Sequence, residues 1–258
     1  MHLLSLFMFH PSFLHGIYCS NGICLSGILS NTKQAGTAVT GAWTNSALGF
    51  AKDDFEQYTF HTKCILSYMI GSFLSGVLNP KPLSPYVLPD HQTMTTTTMF
   101  RISTPSVQSL FFLSSVFMYF ASQLSSSSYD NSFLYLVLIC SGIQNSLTST
   151  TTSNLIRTSH FSGISSDIGT YMGQYLRGNK DNLMKLKLFL LLASSFWLGG
   201  VIAFGVLQAL NVKEHSFLVS SVLYALLGLL VGYKSVVTKE EVPFVTNPKR
   251  MNGRHARR

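Results

Sequence analysis

Long runs without charged residues are the feature that most limits what this chain can fold into. Residues 188–210 contain no Lys, Arg, Asp or Glu, and an apolar helix of about 20 residues is long enough to cross a bilayer. Only 11% of the residues are charged, against about 25% in soluble domains. The sequence therefore predicts an all-α integral membrane protein with about six transmembrane helices. The other five predicted spans are 216–233, 64–80, 105–124, 132–149 and a first one within 1–32.

The net charge of +8 has to be interpreted through this topology, because six spans place both termini on one side of the membrane. If that side is the cytoplasm, it holds the loops near 81–104 and 150–187 and the C-terminal segment from Lys234 onward, which carry 14 of the 18 Lys and Arg residues. The positive-inside rule favours this orientation over the reverse. We interpret 235–258 as a basic, disordered tail that rests near anionic headgroups, rather than as a nucleic-acid-binding segment.

Two polar passages interrupt the apolar sequence, TAVTGAWTNSALG over 37–49 and RTSHFSGISSDIG over 157–169. Each half of the chain contains one such passage and three spans. Because three is an odd number, the second half must enter the membrane from the opposite side. The sequence predicts two inverted three-span repeats, 1–124 with its low-complexity loop 80–104, and 130–234. A shift of 122 residues aligns three pairs, Gly41 with Gly163, Thr44 with Ser166 and Asn45 with Asp167.

Inverted-repeat transporters place their substrate at broken helices near the middle of the membrane, where freed backbone groups face a cavity. The two polar passages are the predicted breaks, since glycine permits unusual backbone conformations and Ser and Thr can satisfy helix-end groups. We expect a substrate pathway lined by ten residues: Thr40, Gly41, Thr44, Asn45, Gln144, Asn145, His160, Gly163, Ser166 and Asp167.

Several short motifs resemble those of the YoaK-type family of multi-span membrane proteins, a domain of unknown function. They are Thr40-Gly41 with Asn45 nearby, the run Gly142-Ile143-Gln144-Asn145-Ser146, and Thr158 through Ser162-Gly163. The resemblance extends over about residues 19 to 235. Ala42 stands where the family prefers Asn, Ser162 replaces a Thr, and the acidic residue usual in the first span is absent. The resemblance implies the multi-span fold and supplies no substrate.

The polar candidates each allow more than one interpretation. Asp167 is either an ion or proton partner within a broken helix or a carboxylate at a helix start, stabilised by the first-turn amides. His160 is either a proton relay with Asp167 or an ordinary hydrogen-bonded histidine. Gln144 and Asn145 either line a pore or join neighbouring helices by hydrogen bonds.

No arrangement of residues predicts an enzyme, a metal site or a cofactor, because no nucleophile–base pair or ligand cluster is recognisable. The small-residue pair Gly228 and Gly232 lets helices approach closely and is a candidate homodimer contact. We expect a small secondary transporter or permease for a neutral or weakly polar solute. The alternative is a non-transporting membrane scaffold or assembly factor. The four cysteines all fall in apolar segments and are interpreted as buried thiols: Cys19, Cys24, Cys64 and Cys140.

Overall fold

In a computed structural model of the chain, the structure describes residues 16–17, 19, 39–79, 104–127, 132–151, 156–206 and 216–240. All regular structure in this part of the chain is helical, which confirms the predicted all-α class. The helices are α1 (Val39–Ala51), α2 (Phe55–Leu78), α3 (Thr104–Ser127), α4 (Ser132–Thr151), α5 (Phe161–Leu176), α6 (Leu183–Val201) and α7 (Ser216–Glu240). A π-helical turn over Ile202–Val206 continues α6.

Two described helices are both long and apolar enough to cross a membrane: α3 over Ser106–Ser125 and α6 over Leu183–Val201. The stretch Phe217–Tyr233 of α7 is apolar but shorter. The predicted six-span arrangement therefore stays a prediction. The span within 1–32 and the loop 80–104 lie outside the described residues, apart from Gly16, Ile17 and Cys19. Helix α7 continues to Glu240, so the first residues of the predicted tail are helical.

The segments around the two predicted helix breaks, 33–62 and 150–187, are largely helical where the structure describes them. Each contains a short helix, α1 or α5, followed by a tight turn and the start of a long helix. In α5 the apolar residues Ile164, Ile168 and Tyr171 recur at helical spacing and pack against the core. That periodicity stabilises a helix even though the glycines and hydroxyl residues of the passage suggest a loop.

Both short helices fold back on the long helix that follows them. On α1 and α2, the Ser46 hydroxyl lies 3.0 Å from that of Thr62, and the rings of Phe50 and Tyr58 are 5.7 Å apart. These pairs show that the two helices run antiparallel. We call residues 39–78 the first hairpin.

The equivalent unit, residues 161–206, is called the second hairpin. Its two helices also run antiparallel, since Phe161 packs on Phe196 near one end and Tyr171 stacks on Phe189 nearer the turn. The turn between the helices contains Gly178 at φ +87°, a conformation for which glycine is the favoured residue.

The long helices pack closely because small residues lie at their crossings. A side chain at Gly71 would collide with the backbone of Ile139, and one at Gly142 with the backbone of Tyr68. The rings of Phe60 and Tyr135, each near the start of its helix, are 6.2 Å apart. Helices α2 and α4 therefore cross at van der Waals contact and run parallel.

Helices α3 and α7 run antiparallel. Gln108, early in α3, lies against Gly232, late in α7. Further along, the hydroxyl of Ser115 lies 3.1 Å from that of Ser221. Gly228 faces the same helix, against Phe111 and Phe112. The predicted contact with a second copy through Gly228 and Gly232 stays a prediction.

Large apolar side chains cover the outside of the bundle, whereas many interior positions are small and polar. On α2 the exposed set recurs every three or four residues: Leu66, Met69, Ile70, Phe73 and Val77. The interior contains buried hydroxyl residues, among them Ser67, Ser114, Thr148 and Ser195. Each donates to the carbonyl four residues earlier in its own helix, so burial leaves no unpaired hydroxyl at these four positions.

Candidate functional site

A cavity of about 290 Å³ opens at the start of α5. It lies where the chain leaves α4 and turns into the second hairpin, and Phe189 of α6 forms its far wall. The cavity contains cationic, anionic and aromatic groups within a chain that is otherwise sparsely charged. Its lining residues are Arg157, His160, Gly163, Ile164, Ser166, Asp167 and Phe189.

The imidazole of His160 lies directly over Gly163. A β-carbon at Gly163 would collide with Cδ2 and Nε2 of the ring, so the glycine makes room for it. His160 is the N-cap residue of α5, but its side chain makes no capping hydrogen bond. The ring is therefore placed at the cavity by the missing side chain of Gly163 rather than by a bond to the helix.

Two helices hold the turn that carries Arg157 and His160. The backbone N–H of Ser159 donates to Oδ1 of Asn145 on α4 at 3.2 Å. The hydroxyls of Ser159 and Tyr68, the latter on α2, are 2.9 Å apart. The N–H of His160 donates to the carbonyl of Arg157 at 3.4 Å, which closes the turn. The cavity wall is thus attached to the close crossing of α2 and α4.

The two charged groups of the cavity lie on opposite sides of the start of α5. Arg157 precedes the helix, and Asp167 is in its second turn; both are half-buried. No acidic residue lies in the first turn of α5, so the interpretation of Asp167 as a helix-start carboxylate is wrong. Among the described residues Asp167 has no ion-pair partner. Ser166, His160 and Asp167 line the same cavity, but no hydrogen bond joins any two of these three described residues. A hydrolase would require such a contact between its nucleophile and its base.

A second cluster of polar side chains lies deeper in the bundle, next to Asn145, which holds the cavity turn. Nε2 of Gln144 donates to the hydroxyl of Ser114 at 2.7 Å, and the thiol of Cys140 lies beside the side chains of Ser114 and Tyr224. Oε1 of Gln144 and Oγ of Ser141 are buried and have no hydrogen-bond partner among the residues that the structure describes. Polar side chains of α4 therefore extend from the cavity turn to the centre of the bundle.

Comparison with known protein families shows the family to which this chain belongs. A family described as "Protein of unknown function (DUF1275)" matches residues 17–230. The chain belongs to this family. The YoaK-type resemblance drawn from the short motifs is thereby confirmed. A search of curated proteins and a search of solved structures found no match.

In this DUF1275 protein, the structure brings together four of the ten predicted pathway residues: His160, Gly163, Ser166 and Asp167 line the cavity. Asn145 supports the cavity turn from outside it. Gln144 points to Ser114 instead. The remaining four lie on α1: Thr40, Gly41, Thr44 and Asn45.

None of these four α1 residues is in the cavity lining. The hydroxyl of Thr44 donates to the carbonyl of Thr40 within α1 at 3.1 Å, and Gly41 faces open space. The part of the predicted pathway in the first half of the chain therefore stays a prediction. Within the described residues no cluster of His, Cys, Asp or Glu is arranged to hold a metal ion.

Sequence reasoning missed three residues of the site. Arg157 opens the polar passage that was singled out, but its charge was assigned to membrane topology alone. Phe189 lies in an uncharged run in which nothing distinguishes it from its neighbours. Tyr68 reaches Ser159 from 91 positions away along the chain, and no local pattern indicates such a contact.

Proposed function

We propose that this protein is a small secondary transporter, built from two inverted three-span halves, with part of its substrate pathway in the cavity of the second hairpin. The observation that carries the proposal is the cavity itself. Ligand sites are concave, mostly apolar and furnished with a few convergent polar groups. The cavity combines Arg157, His160 and Asp167 with the apolar walls of Ile164 and Phe189.

The distribution of side chains supports an integral membrane protein. Phe73 and Trp197 are 68% and 69% exposed, which is unfavourable in water but favourable against lipid tails. Membrane helices associate through small residues and interhelical hydrogen bonds rather than through a hydrophobic core. Gly71, Gly142 and the paired Ser115 and Ser221 fit that description.

The helix directions support the inverted arrangement. In a six-span chain whose first span lies within 1–32, α2 and α4 would be the second and fourth spans, and both would cross in the same direction. Helices α3 and α7 would be the third and sixth, and would cross in opposite directions. The observed contacts agree with both requirements.

The charges of the hairpins support cytoplasmic termini. The second hairpin carries four basic residues at its turn and at the start of α6: Arg177, Lys180, Lys185 and Lys187. The turn of the first hairpin carries Lys52 against three acidic residues: Asp53, Asp54 and Glu56. The positive-inside rule then favours the cytoplasmic side for the turn of the second hairpin.

A non-transporting scaffold is the competing proposal. Its support is the pairing of Gln144 with Ser114 deep in the bundle, which serves packing without any solute. The transporter proposal is favoured because Asp167, another polar residue of the predicted pathway, faces a cavity instead of a partner in the described structure. The cavity lacks a nucleophile–base contact, and so we do not propose an enzyme.

Alternating access tests the proposal. Single cysteines replace Ser166 in the cavity and Asn45 on α1, in a background without the native cysteines and in sealed vesicles of known orientation. A membrane-impermeant thiol reagent is then added to either side. We expect Ser166→Cys to react fast from the cytoplasmic side and slowly from the other, with the opposite preference for Asn45→Cys.

Two results would contradict the proposal in different ways. Reaction of both cysteines from the same side excludes the inverted arrangement. Reaction of Ser166→Cys from one side only, under all conditions, favours the scaffold. A cysteine in place of the exposed Ser165, which is not in the cavity lining, is the matched control for reagent reactivity near the cavity.

A further inference from the structure

The cavity is lined by one basic and one acidic side chain. Arg157 and Asp167 line the same space, and Asp167 forms no ion pair with Arg157 or with any other described residue. A cationic and an anionic side chain in one small cavity attract groups of the opposite charge. A solute that carries both charges has a complementary group for each.

The start of α5 adds to the positive potential at the Arg157 end of the cavity. The first N–H groups of an α-helix have no partner within the helix and attract anions. Helix α5 is 16 residues long, and Gly163 in its first turn lines the cavity. Arg157 and the start of α5 therefore favour an anionic group at one end of the cavity. Asp167, one turn further along, favours a cationic group at the other end.

The size of the cavity limits the solute. About 290 Å³ lies at the lower end of the range of ligand pockets, which is about 300–1,000 Å³. The walls between the charges are Ile164 and the ring of Phe189, and the ring is fixed by stacking on Tyr171 at 6.0 Å. These walls suit a short hydrocarbon portion and provide no further charge.

We propose that the cavity binds a small zwitterionic solute that carries one carboxylate and one ammonium group, as an α-amino acid does. The carboxylate contacts Arg157 and the start of α5, and the ammonium group contacts Asp167. Such a solute has no net charge, in agreement with a bundle that contains few charged groups. The proposal deepens the proposed function, because it assigns a substrate class to the same cavity, but it concerns binding and is tested without transport.

Three matched probes separate the contributions of the two charges. L-alanine carries both charged groups, propionate only the carboxylate and ethylamine only the ammonium group. Binding to the purified full-length protein in detergent micelles is measured by isothermal titration calorimetry. A hydrogen bond to a charged group is worth enough to change affinity by about tenfold or more. We therefore expect alanine to bind at least about tenfold more tightly than either propionate or ethylamine.

Variants assign each charge to its side chain. In Arg157→Gln we expect most of the preference for alanine over ethylamine to be lost, because the carboxylate keeps only its contact with the start of α5. In Asp167→Asn we expect alanine and propionate to bind equally well. Arg157→Lys keeps the charge and should retain part of the preference for alanine. Arg177→Gln and Asp181→Asn change exposed charges beyond the end of α5, and should leave all three affinities unchanged.

The proposal is overturned if propionate or ethylamine binds to the native protein as tightly as alanine, or if none of the three probes binds. It is also overturned if Arg157→Gln and Asp167→Asn weaken the binding of all three probes by the same factor, since neither side chain then recognises a particular charged group. Charge-selective binding without alternating access would retain this site and reject the transporter. Alternating access without charge selectivity would retain the transporter and reject the zwitterion.

Discussion

The first and second hairpins have the same architecture and different surroundings. Each is a short helix, a tight turn and a long antiparallel helix, and each packs its short helix on the long one through aromatic rings. The polar passage of the second hairpin forms a cavity with a turn held by Asn145 and Tyr68. The corresponding residues of the first hairpin, Thr40, Gly41 and Thr44, are exposed.

This difference teaches that a polar passage alone does not make a site. The cavity exists because the chain before α5 is attached to the crossing of α2 and α4, which fixes where Arg157 and His160 lie. The helix α1 carries a similar set of residue types, but Thr44 bonds only within its own helix. Four predictions test how far the two hairpins are equivalent, from the largest expected effect to the smallest.

The largest loss of stability is expected for substitutions of the glycines at which each long helix crosses another segment. Gly71 lies against the backbone of Ile139, and Gly199 of the second hairpin lies against the backbone of Cys19. Because backbone cannot move aside as a side chain can, Gly71→Ala and Gly199→Ala should each lower the free energy of unfolding by about 3 kcal/mol or more. Chemical unfolding in mixed micelles measures the loss.

Gly76 provides the matched control on α2, because a side chain there meets no atom within 4 Å. Gly76→Ala should be neutral or slightly stabilising. If Gly71→Ala were tolerated as well as Gly76→Ala, the close crossing would be absent in solution. If only one of Gly71→Ala and Gly199→Ala were damaging, the two hairpins would not be anchored in equivalent ways.

The turns are expected to differ at their left-handed residues. The first hairpin uses Asp53 at φ +59°, and the second uses Gly178 at φ +87°. Gly178→Ala should lower the free energy of unfolding by about 1–2 kcal/mol, because L-residues are strained in this conformation. Asp53→Gly should change it by less than about 0.5 kcal/mol, because Asp tolerates the conformation and Gly is more flexible when unfolded.

The same unfolding measurement serves for both turn variants. A cost for Asp53→Gly comparable to that of Gly178→Ala would show that the Asp53 side chain itself stabilises the turn. In that case the two turns would have different chemical origins despite their similar shape.

Alanine substitutions at the starts of the two long helices should also differ in their effect on stability. Oδ1 of Asp54 accepts a hydrogen bond from the N–H of Gln57 at 3.0 Å and caps α2. Asn182, at the start of α6, makes no such bond and instead donates to Oε1 of Gln174 at 2.9 Å. Asp54→Ala should cost about 1 kcal/mol of unfolding free energy, and Asn182→Ala about 0.5 kcal/mol.

The conservative variant Asp54→Asn separates capping from charge, because Asn also caps helices well. Stability close to that of the native protein in Asp54→Asn, with a loss in Asp54→Ala, indicates capping. An equal loss in both variants would point to the charge of Asp54 instead.

The smallest change in stability, and the sharpest contrast in function, is expected for the glycine pair that the repeat aligns. Gly41→Ala meets no neighbouring atom and should raise the free energy of unfolding by about 0.5–1 kcal/mol, because alanine is the better helix former. Gly163→Ala gains the same helix propensity but displaces the His160 ring. We expect little net change in its stability and a clear loss of alanine binding.

His160→Ala distinguishes the displaced ring from a direct effect of Gly163. If the ring obstructs the cavity in Gly163→Ala, the double variant Gly163→Ala/His160→Ala should recover binding relative to Gly163→Ala alone. Failure to recover would show that Gly163 acts through the helix backbone and not through the imidazole.

The sequence predicted the helical class, the family and the polar passage that forms the cavity, because these depend on local composition and short motifs. An uncharged run defines α3 directly, and another covers α6 from Leu188 onward. The polar passages that form α1 and α5 were predicted as helix breaks, because glycine permits unusual backbone conformations and Ser and Thr can satisfy helix-end groups. Within this bundle the same small residues allow close helix packing.

The partners of the cavity could not be predicted, because they depend on contacts between distant parts of the chain. Tyr68 and Ser159 come together only once α2 and α4 have crossed at Gly71 and Gly142. The role of Phe189 likewise depends on how α6 folds back on α5. A pattern along a single segment contains no information about either arrangement.

The buried hydroxyls bear on how sequences with this architecture change over time. Ser67, Thr148 and Ser195 bond backward along their own helices, and so these bonds do not tie one helix to another. Such positions select for side-chain size more than for chemical identity, and exchange among Gly, Ala, Ser and Cys preserves the shape of the interior. Kinship among proteins of this kind is therefore measured better by the pattern of small and large residues than by residue identity.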